Sequence, residues 1–526
     1  MSSTGPTFYT PRPPGVSLEP RGRPGAPAAP SSLFRQIVFA FGPRLIFCVM
    51  VAAVLGLAAT VFGSGLGVSE AAIIAFFGVA SVMTVSLYRR MDLMLLWVLM
   101  VEATIFLFQI VLYDISVEMH PAIRLGPVLV AALVFTLAYR GRRASMGLTA
   151  ILWVGLSLPI LIGALFGPEL DVSRDLTLFA LNILYPVGVY HAVRSMPANG
   201  ADSGHTAEML SISVIAMAVV PLLLIPIELT LRQGGGFAAL QFGGRAYAVI
   251  GIILLTWPIL IDSLRRWPLA AAYVSFAVIA LIIATSFSRG AIMATALLLA
   301  ATLVFGQGRE RKVMMHLGLA SVLVGVASLF FLRDWFDQLS WFWMLRTNMA
   351  SNASAQVAFN AADFFSSGRG DIWEMGWRLF QEKPLLGHGI GTTPVLVAEA
   401  TNNVFTYSGM HNMLLTVLVE RGLIGTVAVL YVLLRIPTLI WRGIKQRKLS
   451  IVHMAAFVIF LLFANTTGVE LFMNSTRLMN VTATVYLLAY LAWLEGQVPA
   501  MARTARRPGL PGPGQWRGMP RPQRAP

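Results

Sequence analysis

Cysteine, acid and charge of either sign are scarce in this chain, and each scarcity excludes something. A single cysteine, Cys48 in an apolar run, leaves no intramolecular disulfide and no cysteine metal cluster. Only 12% of the 526 residues are charged, against 57% hydrophobic, and the mean hydropathy is +0.73. No water-soluble domain of this length needs so much apolar surface. Asp and Glu number 24 against 39 Lys and Arg, for a net charge of +15.

Long apolar runs are abundant. The sequence predicts an all-α polytopic integral membrane protein, because segments of about 20 apolar residues each suffice to cross a hydrocarbon core of roughly 30 Å as a helix. Fourteen are predicted, near 42–63, 69–88, 92–113, 122–139, 146–167, 176–194, 209–231, 246–264, 268–286, 291–307, 313–332, 422–440, 451–470 and 479–496. Arg89-Arg90, Arg140 to Arg143, Arg265-Arg266, Arg309 to Lys312 and Arg442 to Lys448 all follow even-numbered spans. The positive-inside rule then puts both termini in the cytoplasm. Residues 1–34 and the basic residues 497–526 read as disordered cytoplasmic tails, and no signal peptide is apparent. The basic excess falls in these tails and the cytoplasmic loops, so it argues for no nucleic acid.

This scheme divides the chain into helices over 35–332, an extracytoplasmic loop over 333–410 and C-terminal helices over 411–496. The loop is rich in tryptophan and contains the helix-like "GDIWEMGWRLFQE" and the run "KPLLGHGIGTTP", so it is expected to be a small folded cap. Asp334 and Asp337 flank Trp335 without a histidine or third carboxylate to complete a metal set. His388 sits in the glycine-rich turn, where a lone histidine more often has a structural role.

Arg232, Arg245, Arg289, Arg333, Arg346, Arg369, Arg378, Lys383, Arg421 and Arg477 fall at the outer side, where topology supplies no reason for them. Arginines lining an outer cavity suit a lipid phosphate or pyrophosphate, which the guanidinium grips with two parallel bonds. In "SFSRGA" (286–291), Arg289 stands between two apolar runs, and Ser286 or Ser288 can cap a helix starting near Ala291. Arginine, hydroxyl and helix end then converge on one anion. The bland alternative is an arginine snorkelling to the interface or paired with Asp363.

In "HNMLLTVLVERGLIG" (411–425), a continuous helix would put His411, Leu415, Leu418, Gly422 and Gly425 on one face and Glu420 on the other. The glycines on that face would admit a neighbouring helix. His411 is a candidate general base and Asn412 a candidate contact to a substrate hydroxyl. Glu420 stands as a candidate substrate-binding residue, with a role of Glu420 and Arg421 in helix packing or in a separate salt bridge as the more ordinary use.

His411-Asn412, nine residues and then Gly422-x-x-Gly425 resemble a signature of the bacterial O-antigen ligase and polymerase family. The Ser288–Ala291 turn, Arg369-Gly370, Trp373 and the stretch Pro384 to Gly391 resemble its other recurrent elements in the same order, over roughly 245–440. The resemblance implies a GT-C-like membrane fold of about 12–14 helices in the bacterial inner membrane, its active site facing the periplasm. It also implies a metal-independent, inverting glycosyltransferase that needs no cofactor. Its donor would be an undecaprenyl-pyrophosphate-linked oligosaccharide and its acceptor a glycan or glycolipid, with a chain-length regulator and a flippase as candidate partners. Carried onto this sequence, Arg289 and Arg369 would bind the pyrophosphate, His411 would lie at the acceptor hydroxyl, and Arg245 would be a third phosphate contact.

Polymerisation of a surface or secreted polysaccharide is the expectation, since nothing in the outer loop suggests a platform for a second lipid. Ligation to lipid A-core is the alternative within the family. A lipid-linked-oligosaccharide flippase or exporter is the alternative of another class, supported mainly by Glu102 inside the third predicted span. A membrane scaffold would leave the outer arginines unexplained.

Overall fold

The computed structural model describes residues 83, 87, 93–99, 183–196, 203–231, 242–264, 266–285, 289–306, 311–312, 314–316, 370–389, 392–400, 410–467 and 478–498. Its elements are α1 (Tyr185–Ser195), α2 (Ser203–Leu231), α3 (Phe242–Leu264), α4 (Leu269–Thr285), α5 (Arg289–Phe305), α6 (Gly370–Glu382), α7 (Thr393–Ala400), α8 (Met413–Lys445), α9 (Ile451–Thr467) and α10 (Leu478–Gln497). No strand occurs among the described residues. The predicted spans at 42–63, 122–139 and 146–167, the tails and Glu102 lie outside them.

The all-helical expectation holds over these residues. Helices form where the sequence is rich in Leu, Ala, Ile and Met, and they end at polar or Pro-containing links such as Arg266-Trp267-Pro268. Among the described residues, α8 alone is long and apolar enough to cross a membrane, and five shorter apolar helical stretches of 10–17 residues lie within α2, α3, α4, α5 and α9.

The main core gathers around α3, buried from Ala248 through Ile261 and packed against α2, α4, α5, α9 and α10. Two pairs of polar side chains within this core bond to each other and offset their burial. Trp257 donates to Thr302 Oγ1 at 3.0 Å, tying α3 to α5, and Ser211 donates to Ser263 at 2.8 Å, tying α2 to α3.

These pairings also set direction. The end of α1 meets the end of α10 through Arg194 and Glu495, the end of α8 meets it through Lys448 and the Gln497 carbonyl, and Ser211 joins the start of α2 to the end of α3. Four residues separate α3 from α4 and three separate α4 from α5, so α4 starts where α3 ends and α5 starts where α4 ends. The N-termini of α3, α5 and α8 therefore share the opposite end of the bundle. The outer faces are apolar there and below: Val274, Met293, Leu297, Val427, Leu434 and Leu462 are each more than half exposed.

Outside the main core, α6, α7 and the first turns of α8 enclose a second one of Ile372, Leu379, Phe380, Val397, Met410, Leu415 and Val419. α6 is strongly amphipathic: Ile372, Gly376, Leu379 and Phe380 are buried, while Glu374, Trp377, Arg378 and Gln381 are exposed. Its 3.6-residue period explains why "GDIWEMGWRLFQE" forms a helix with one face on this small core. Fully burying such side chains contributes about 1.5–3 kcal/mol each.

Candidate functional site

The candidate site is built at the start of α8. Asn412 takes an extended conformation and its side-chain oxygen accepts from the Leu415 N–H at 3.0 Å, making it the N-cap. A second first-turn N–H, that of Leu414, donates to Oδ1 of Asn465 on α9 at 3.2 Å. His411 precedes the cap in a left-handed conformation with φ +50°, one that side-chain-bearing residues seldom adopt. Just before it, the carbonyl of Met410 accepts from Trp373 Nε1 of α6 at 2.9 Å.

His411 therefore stands outside the helix, so the helical face expected from "HNMLLTVLVERGLIG" does not extend to it. The helix is also broken at Gly422, where φ is 59° and ψ is −165°. That combination is essentially restricted to glycine. Leu423 and Ile424 send their N–H groups to Pro384 and Leu385 carbonyls at 2.8 and 3.2 Å, while His388 and Gly389 donate to Val419 and Glu420 carbonyls at 2.8 and 3.1 Å. The glycine-rich turn thus occupies the break. Glycines are needed on both sides: a Cβ on Gly387 would lie 2.5 Å from the Glu420 backbone, and one on Gly422 would collide with the Leu385 backbone. The expected helix against Gly422 is this turn instead.

Glu420 and Arg421 are both buried. Glu420 Oε1 accepts from the Thr393 N–H at 3.4 Å, at the start of α7, where a carboxylate offsets the positive helix end. Glu420 thereby joins the cap to α8, and the adjacent Arg421 supplies opposite charge. His388 closes α6: its Nε2 lies 2.7 Å from the Leu379 carbonyl, which makes that nitrogen the donor. Arg378 is paired on the surface with Glu374. These cations and His388 have structural partners, as the structural reading of His388 expected.

The other sequence candidates concentrate at helix starts. Arg245 is in the first turn of α3 and Arg289 is the first residue of α5, two residues earlier than the helix start expected from the sequence. In sequence, Arg369 directly precedes Gly370, the first residue of α6. Ser288 and Arg369 lie outside the described residues. A cation at a helix N-terminus opposes the helix dipole, whereas an anion bound there would be favoured by both. No group of three or more His, Cys, Asp or Glu suited to a metal occurs among the described residues.

Sequence reasoning missed Asn465 and the hydrogen-bonding role of Trp373. Neither carries a local signal for its contact, because each acts on a backbone group brought near only by folding.

Residues 274–430 match the family model described as O-antigen ligase. This match supports an O-antigen ligase/polymerase family for the region. The region contains most of α4 and the whole of α5, α6 and α7, with α8 as far as Leu430, and so includes Arg289, Arg369, His411, Asn412, Glu420 and both glycines of the turn and break. Arg245 lies outside it. No curated protein and no solved structure matches the chain. The match supports an O-antigen ligase/polymerase-type activity.

Proposed function

We propose that the chain is a polytopic inner-membrane glycosyltransferase that polymerises a surface or secreted polysaccharide from an undecaprenyl-pyrophosphate-linked glycan at the periplasmic face. The observation that carries this reading is the common placement of the starts of α5 and α8, with Arg289 and His411, at one end of the bundle inside the family region. The apolar outer faces of α4, α5, α8 and α9 support immersion in lipid, and a GT-C-like arrangement fits a site at one membrane surface.

In this mechanism Arg289 and Arg369, with Arg245 as a third contact, hold the donor pyrophosphate. The acceptor hydroxyl oxygen forms a bond to the anomeric carbon as the bond from that carbon to the pyrophosphate oxygen breaks. His411 takes the hydroxyl proton, and the arginines neutralise the charge that accumulates on the leaving pyrophosphate without a divalent ion. A single displacement from the opposite face inverts the anomeric centre. The family description, O-antigen ligase, favours one second reading, in which the acceptor is lipid A-core.

The test is complementation of a strain deleted for this chain. Arg289→Ala and His411→Ala should each abolish the surface polysaccharide while the protein remains in the membrane, and Arg289→Lys should restore part of it because charge survives without the fork. Normal polysaccharide with Arg289→Ala would remove the phosphate site from the account.

A further inference from the structure

We infer that Trp373 and Asn465 are positioning residues for His411, an inference that rests on reading His411 as the acceptor-side residue. Rotation about φ of His411 turns the peptide plane that carries the Met410 carbonyl. Fixing that carbonyl therefore fixes the rotation. Trp373 Nε1 holds it at 2.9 Å, and Met410 is itself fully buried.

The other side of His411 is fixed from a different helix. Asn412 caps α8, and Asn465 accepts from the next free turn position, the Leu414 N–H, at 3.2 Å. Asn465 is oriented in turn by its own Nδ2, which donates to the Leu461 carbonyl at 2.8 Å. His411 is thus bracketed by α6 of the cap and α9 of the bundle in a conformation, φ +50°, that a side-chain-bearing residue does not favour by itself.

The approach that brings Trp373 within reach is also built in. A Cβ on Gly376, one turn further along α6, would lie 2.6 Å from Met410 Sδ and 2.8 Å from Leu415 Cδ2. The helix can come this close to the start of α8 because that position is glycine. A hydrogen bond that only fastened the cap would not need to fall on the residue preceding the strained histidine.

The experiment compares purified full-length variants on lipid-linked glycan extracted from a strain deleted for this chain. Trp373→Phe keeps a ring but loses the donor, and Asn465→Ala loses the acceptor. Each should lower kcat by about tenfold or more, measured below the unfolding temperature, with KM for the donor lipid unchanged and the thermal midpoint lowered only as far as one lost hydrogen bond requires, as misplacement of a reacting group predicts. Asn465→Asp keeps the acceptor oxygen for Leu414 but loses the Nδ2 donor that orients it, so it should restore kcat only in part.

If Trp373→Phe fails to fold, replacement of Trp373 by benzothienylalanine, which has the indole shape without the N–H, supplies the same comparison. Wild-type kcat in the donor-less and acceptor-less variants would overturn the inference. So would losses of kcat, KM and thermal midpoint together, which mark a purely structural bond. A His411→Ala control that kept wild-type kcat would instead overturn the reading of His411.

Discussion

The His388 N–H donates to the Val419 carbonyl at 2.8 Å, taking the acceptor that a straight helix would give to Leu423. Leu423 donates to Pro384 instead. The glycine-rich turn and α8 therefore share backbone hydrogen bonds, and the break in α8 leaves none of these four groups unpaired. Two sequence elements about 35 residues apart, "PLLGHG" and "ERGLIG", are one structural unit.

Substitution should reveal that unit. Gly422→Ala places a side chain in a backbone region costing about 1–3 kcal/mol and against the Leu385 backbone. The expected outcome is a lower thermal midpoint and lost transfer, with Gly387→Ala giving the same pair of defects. A fully stable Gly422→Ala protein, judged by thermal unfolding in detergent, would contradict the break.

Asn412 offers a finer discrimination. Its Oδ1 is used as the cap of α8, and Asp caps equally well. Asn412→Ala should cost about 1 kcal/mol of stability. Asn412→Asp should keep the fold, so its activity separates two roles: wild-type kcat means that capping is the whole contribution, whereas lost kcat with an intact thermal midpoint means that the amide N–H₂ contacts the acceptor.

A third expectation concerns the opposite end of the bundle. Glu495 accepts from Tyr190 at 2.8 Å and lies 3.5 Å from Arg194 and 3.4 Å from Arg435, joining α1, α8 and α10. Glu495→Gln retains an acceptor for Tyr190 but leaves two arginines without their counter-charge. A loss of about 1–3 kcal/mol is expected, moderated by the partial exposure of both arginines. Glu495→Leu should lose more. Transfer should survive in Glu495→Gln below its unfolding temperature, because the cluster lies away from His411.

Much of this was legible where the pattern is local. The amphipathic period of "GDIWEMGWRLFQE" is a helix signal, and α6 spans those residues. Apolar runs gave α4, α5, α9 and α10 to within a few residues, since composition decides such helices. The break at Gly422 was not legible: G-x-x-G reads as a helix-contact face, and only the turn lying against it shows why glycine is required. Asn412 preceding an apolar run is an N-cap signal, yet its nearness to His411 drew a chemical reading first. Asn465 sits in an apolar helix with no local mark of its bond to Leu414, a contact made only by tertiary structure.

The most direct measurement of the central claim incubates purified protein with undecaprenyl-pyrophosphate oligosaccharide in EDTA, without a second acceptor, and resolves the lipid-linked products on a gel. The account predicts a ladder of repeat-unit multiples, lost in Arg289→Ala and in His411→Ala. Transfer appearing only when lipid A-core is added would make the chain a ligase, and no transfer to either acceptor would contradict the glycosyltransferase account.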